Sequence, residues 1–87
     1  MFGLTREPAD YTQRLIRLLS DAGYPPAFVE VLRGGAVSVW FWVGATAIQI
    51  SRDVLSDTRE LAREIAFEAQ RRGVTAVGTA AFYLSTF

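Results

Sequence analysis

Between Ala9 and Ala22 the apolar residues Tyr11, Leu15, Leu18, Leu19 and Ala22 recur at three- and four-residue spacings, with Arg14, Arg17 and Asp21 among them. That period lines one face of a helix and predicts an amphipathic α-helix over the segment. Pro8 suits its first turn, and Gly23 suits the left-handed position after its last. Pro25 and Pro26 then force an extended exit.

Downstream the period falls to two. Ala27 to Arg33 reads as a strand, Gly34-Gly35 as its turn, and Ala36 to Val43 as a second strand of high β propensity. The alternation Val37, Val39, Phe41, Val43 changes phase after Gly44 and resumes as Ile48 and Ile50. A continuous strand would send those isoleucines to the wrong face. A two-residue turn at Gly44-Ala45, of the type that wants Gly first, removes the conflict by setting Val43 against Thr46, Phe41 against Ile48 and Val39 against Ile50. The same register puts Trp42 opposite Ala47 and Trp40 opposite Gln49 on the reverse face.

The first hairpin admits two registers. A two-residue loop would put Glu30 with Val39 on the core face. A three-residue loop, Arg33 to Gly35, puts Val29 and Val31 there and sends Phe28, Glu30 and Leu32 to join the tryptophans. The second is preferred because burying an unpaired carboxylate is expensive.

Asp57 followed by Glu60 has the spacing of a capping box, with Asp in place of Ser or Thr, and opens a second helix. Leu61, Ala62, Ile65 and Ala69 form its buried stripe and Gly73 ends it. Val74 to Phe87 is uncharged and rich in Val, Thr, Ala, Phe and Tyr, which predicts a final strand that bends at Gly78. The expected fold is therefore α+β, a two-layer sandwich in the order α-β-β-β-α-β. Its sheet is mainly antiparallel, two helices cover one face, and one domain spans residues 1–87.

Composition narrows the chemistry. The 87 residues are 51% hydrophobic and 21% charged, apolar enough to fold around a dense core. There is no cysteine and no histidine, which removes disulfides, thiolate and imidazole ligands, Cys nucleophiles and imidazole acid–base catalysis. The lack of cysteine fits a cytoplasmic location. All nine basic residues are arginine and nine acidic residues balance them, so bulk charge does not direct the chain to nucleic acid or anionic lipid. The uncharged run Gly34 to Ser51 approaches the length of a membrane span, but its glycines, Ser38, Thr46, Gln49 and alternating β-branched residues favour strands. No membrane association is expected, and Met1 to Glu7 lacks the pattern of a signal peptide.

Candidate chemistry is sparse. Ser38, Ser51, Ser56 and Ser85 have no histidine or lysine to activate them, and no phosphate-binding glycine loop appears. An enzyme is not expected, nor is a cofactor or a metal. Glu60, Glu64 and Glu68 form a row that Arg63, Arg71 and Arg72 are placed to offset, as on an ordinary solvated helix.

The informative residues are Trp40 and Trp42. If both helices cover the Val39/Phe41 face, the tryptophans are left on the other one, and contiguous exposed aromatics mark contact sites. Phe67, roughly opposite the buried stripe of the second helix, is a further candidate for a partner surface. The leading reading is a small non-enzymatic protein-binding module acting through this aromatic sheet surface. Accessory or regulatory subunits and virus- or plasmid-encoded inhibitors are proteins of this kind. A homo-oligomeric structural protein, with a homodimer as its simplest form, is one alternative. Another is a nucleic-acid binder that uses Arg33, Arg52, Arg71 and Arg72 beside aromatic rings. The order α-β-β-β-α is similar in outline to that of the double-stranded RNA-binding domain. The lysine-rich patch before that domain's last helix has no counterpart in Ser51 to Arg59, so the likeness is one of topology alone.

Overall fold

The computed structural model describes residues 2–77, with side-chain environments from Asp10 onward. Helix α1 (Phe2–Asp21) leads into three strands, β1 (Phe28–Leu32), β2 (Ala36–Val43) and β3 (Thr46–Asp53), and helix α2 (Thr58–Arg71) follows. The strands form one antiparallel sheet in the order β1-β2-β3. The fold is α+β, with α1 packed toward β1, α2 toward β3, and the helices against each other. Of the final strand expected from Val74, residues 74–77 are irregular and residues 78–87 lie outside the described residues.

Both hairpin registers follow the polarity of the chain. Phe28 pairs with Trp40 and Leu32 with Ala36 around the loop Arg33-Gly34-Gly35. Val43 pairs with Thr46, Phe41 with Ile48 and Val39 with Ile50 around Gly44-Ala45. Gly44 has φ +63°, and among the described residues none other than glycine has positive φ. That is the combination a type II′ turn demands at its two central positions.

The core lies between this sheet and the helices. Val37, Val39 and Phe41 of β2 are fully buried, as are Leu15 and Leu19 of α1 and Leu61, Ile65 and Ala69 of α2. Each large aliphatic or aromatic side chain in this set contributes roughly 1.5–3 kcal/mol by leaving water. The alternation of β2 thus commits one face of the central strand entirely to the helices.

Both helices stop in the same way. After α1, Gly23 N–H donates to the Ser20 carbonyl and Tyr24 N–H to that of Leu19. After α2, Gly73 N–H donates to Gln70 and Val74 N–H to Ala69. These paired bonds are Schellman caps, and the residue beyond each glycine, Tyr24 or Val74, folds back into the core. At its start, α2 is capped by the Asp57 carboxylate, which accepts from the amides of Arg59 (3.0 Å) and Glu60 (3.4 Å). Tyr11 ties α1 to the β3–α2 connection by donating its hydroxyl to the Leu55 carbonyl at 2.7 Å. Burial raises the pKa of the Tyr11 and Tyr24 phenols above its ordinary value.

Helix α1 departs from expectation at its beginning. It starts at Phe2, so Pro8 lies within it and not in its first turn. Proline has no N–H for the carbonyl four residues back, but its fixed φ is helical, so the helix loses one hydrogen bond there and continues.

Candidate functional site

The reverse face of the sheet is built in rows set by the strand register. Trp42 stands beside Ala47; Phe28, Trp40 and Gln49 form the next row; Glu30, Ser38 and Ser51 follow; and Leu32, Ala36 and Asp53 close the far end. The rows differ in character. One end is aromatic and the centre is polar.

At the aromatic end Trp42 is 61% exposed and Phe28 58%. They are diagonal neighbours across the β1–β2 pair, about 7–8 Å apart at their backbones, a separation that large rings span. Trp40 shares their face but is partly buried, and its indole Nε1 is enclosed with no hydrogen-bond partner among the described residues. The two tryptophans are therefore not equivalent. Trp42 is presented to solvent, whereas much of Trp40 belongs to the body of the protein.

The polar centre is ordered. Ser38, only 1% exposed, accepts from Gln49 Nε2 at 3.0 Å and lies 3.1 Å from Ser51 Oγ. Because buried hydroxyls need partners, this network accounts for a serine in the middle of an otherwise apolar strand.

Phe67 is 63% exposed but belongs to α2, the layer that covers the opposite face of the sheet. It does not extend the tryptophan surface. Phe28 and Leu32, both exposed, take that place. The signal for them was the three-residue loop, whose register puts them on the tryptophan face.

Three of the four candidate arginines come together, at the β3 edge and the end of α2. Arg52 and Arg71 approach the Glu68 carboxylate at 3.6 Å and 3.2 Å. Arg52 Nη1 donates to the Ser51 carbonyl at 2.8 Å, and Arg72 Nη1 donates to the Gln49 carbonyl at 3.1 Å. β3 is an edge strand of the described sheet. Gln49 and Ser51 lie two apart along it, so their carbonyls point to the same side. Two guanidinium groups thus cover consecutive outward acceptors on an edge that would otherwise offer them to another strand. Arg33 sits exposed in the β1–β2 loop with no hydrogen bond or ion pair to the other three.

Among the described residues no group of three acidic, histidine or cysteine side chains is placed to hold a metal ion, and no helix is long and apolar enough to cross a membrane. No family model matches the chain, and no curated protein or solved structure shows detectable similarity to it.

Proposed function

We propose that this chain is a non-enzymatic protein-binding module, an accessory or regulatory subunit or an inhibitor, that seats its partner on the aromatic end of the sheet face turned away from the helices. The observation that carries this reading is the pair Trp42 and Phe28, each more than half exposed, side by side on a face that neither helix covers. Large rings on a rigid sheet bury much area on binding and lose little side-chain entropy, and for that reason aromatics dominate the energetics of interfaces. Three ordered strands hold them in place before the partner arrives.

Two features weigh against nucleic acid as the partner of this face. Single strands are held where rings and cations share one groove, whereas here Arg52, Arg71 and Arg72 lie at the β3 edge and are engaged with Glu68 and backbone carbonyls. Alternation also leaves Glu30 and Asp53 as the only charged groups of the three strands on the aromatic face.

Affinity capture from the native host tests the reading, with the parent chain compared against Trp42→Ser and Phe28→Ser. The expected result is a protein captured by the parent and lost with either variant, while both variants keep the parent's circular dichroism spectrum and cooperative melting. Capture that is indifferent to both substitutions refutes the reading. Tight, salt-sensitive binding of generic RNA or DNA replaces it with the nucleic-acid alternative.

A further inference from the structure

Within the three described strands, the charge of the aromatic face has one sign. Every charged side chain that strand alternation places there is a carboxylate, Glu30 on β1 and Asp53 on β3. Both are exposed, and neither makes a hydrogen bond or an ion pair among the described residues. Glu68, on the helical side of the sheet, has both Arg52 and Arg71. Glu30 also stands between two exposed apolar side chains of its own strand, Phe28 and Leu32.

We infer that the segment seated on this face is cationic, a stretch of another protein in which Lys or Arg lies between apolar side chains. The inference rests on the reading of the face as a protein-binding surface. Same-face residues of a strand repeat every ~7 Å, so an extended segment alternating apolar, basic and apolar matches Phe28, Glu30 and Leu32 position for position. Trp42, diagonal to Phe28, offers a ring face to a second cation. A partner that covers Glu30 with apolar atoms alone strips water from a carboxylate and returns nothing, whereas one that brings a guanidinium or ammonium restores the lost interaction. That difference makes the acid a selector.

The same charges disfavour the other occupants. A second copy in face-to-face contact would bring carboxylates against a face whose own charges are all carboxylates, and like charges brought together without a cation repel. Phosphate backbones meet the same repulsion.

The test is selection of random peptides displayed on phage against the immobilised full chain, in parallel with its Glu30→Lys and Trp42→Ser variants. Synthetic versions of the enriched peptides are then titrated by fluorescence anisotropy. The parent is expected to enrich peptides with Lys or Arg flanked by apolar residues. Those peptides should bind Glu30→Lys at least roughly tenfold more weakly, the scale of one desolvated charge pair, with the gap narrowing as salt rises. Glu30→Lys should itself enrich peptides with Asp or Glu at the corresponding position. Peptides without basic bias that still require Trp42 overturn the cationic assignment and leave the binding face standing. Peptides indifferent to Trp42, or no enrichment at all, overturn both. If Glu30→Lys does not fold, Glu30→Gln, which removes the charge at constant shape, takes its place with the same reading of loss or no loss.

Discussion

The arginines on the β3 edge lend themselves to a quantitative test, the double substitution Arg52→Ala and Arg72→Ala. It removes the 2.8 Å bond to the Ser51 carbonyl, the 3.1 Å bond to Gln49 and the 3.6 Å contact of Arg52 with Glu68. All three are solvent-exposed or nearly so. Two exposed hydrogen bonds and a surface ion pair together contribute about 1.5 kcal/mol, near the low end for such contacts because solvent competes for all of them. For a domain of this length that lowers the melting temperature by roughly 6–12 °C. The protein stays folded, because domains of this size have a total stability of several kcal/mol. What changes is the edge. The outward carbonyls and amides of Gln49 and Ser51 become a template for strand pairing. The double variant is expected to dimerise or form larger species at concentrations where the parent has one lower molar mass, as light scattering after size exclusion would show. In those species the Gln49 and Ser51 amides should become protected from hydrogen exchange. An unchanged molar mass and exchange pattern, with only the melting temperature shifted, would refute the idea that the arginines close this edge.

Three further outcomes follow from the packing. Trp42→Ser should cost about 2.5 kcal/mol or less, since the 61% exposed indole keeps only about 100 Å² from water, whereas Trp40→Ser should fall in the range of about 3–5 kcal/mol for truncating an enclosed indole; denaturant titration of both variants distinguishes them. Asp57→Ala should cost about 1 kcal/mol by releasing the Arg59 and Glu60 amides, and Asp57→Ser should recover most of it, read by the same titration. Because burial raises the Tyr11 and Tyr24 pKa values in the folded state, the unfolded chain ionises first as pH climbs. Their stabilising contribution is complete below the unfolded value near 10 and is lost as pH rises through the folded one, so alkaline melting should be less steep in Tyr11→Phe and Tyr24→Phe.

The sheet was legible in the sequence because each of its features is a local conflict with one resolution. The phase change between Val43 and Ile48 admits a turn only at Gly44-Ala45, and the charge on Glu30 decides between two loops that backbone geometry alone allows. Helix α2 was legible from Asp57 to Gly73 for the same reason: its caps are short-range chemistry. Less could be read where the cause is not local. Pro8 argues for a helix start, and nothing nearby in the sequence says that α1 runs through it. Alternation put Trp40 and Trp42 on one face but did not say how deeply each is enclosed, because that depends on everything packed around them. The arginines were visible as a group, yet their engagement with Glu68 and with β3 carbonyls joins residues up to 23 apart in sequence, and composition favoured no such pairing over a phosphate contact. Function was the least legible, since a chain without histidine or cysteine announces no chemistry and leaves only its surfaces to argue from.

The unequal burial of the two tryptophans makes the protein its own pair of optical probes. They are the only indoles in the chain, and one is open to water while the other is partly enclosed. In Trp40→Phe the remaining fluorescence comes from a ring at the proposed contact surface, so its emission should move to the blue when a partner excludes water and change little before the fold is lost. In Trp42→Phe the signal comes from the enclosed ring and follows unfolding. Two single-tryptophan variants would separate docking from folding in one spectrometer, without a label attached to the chain.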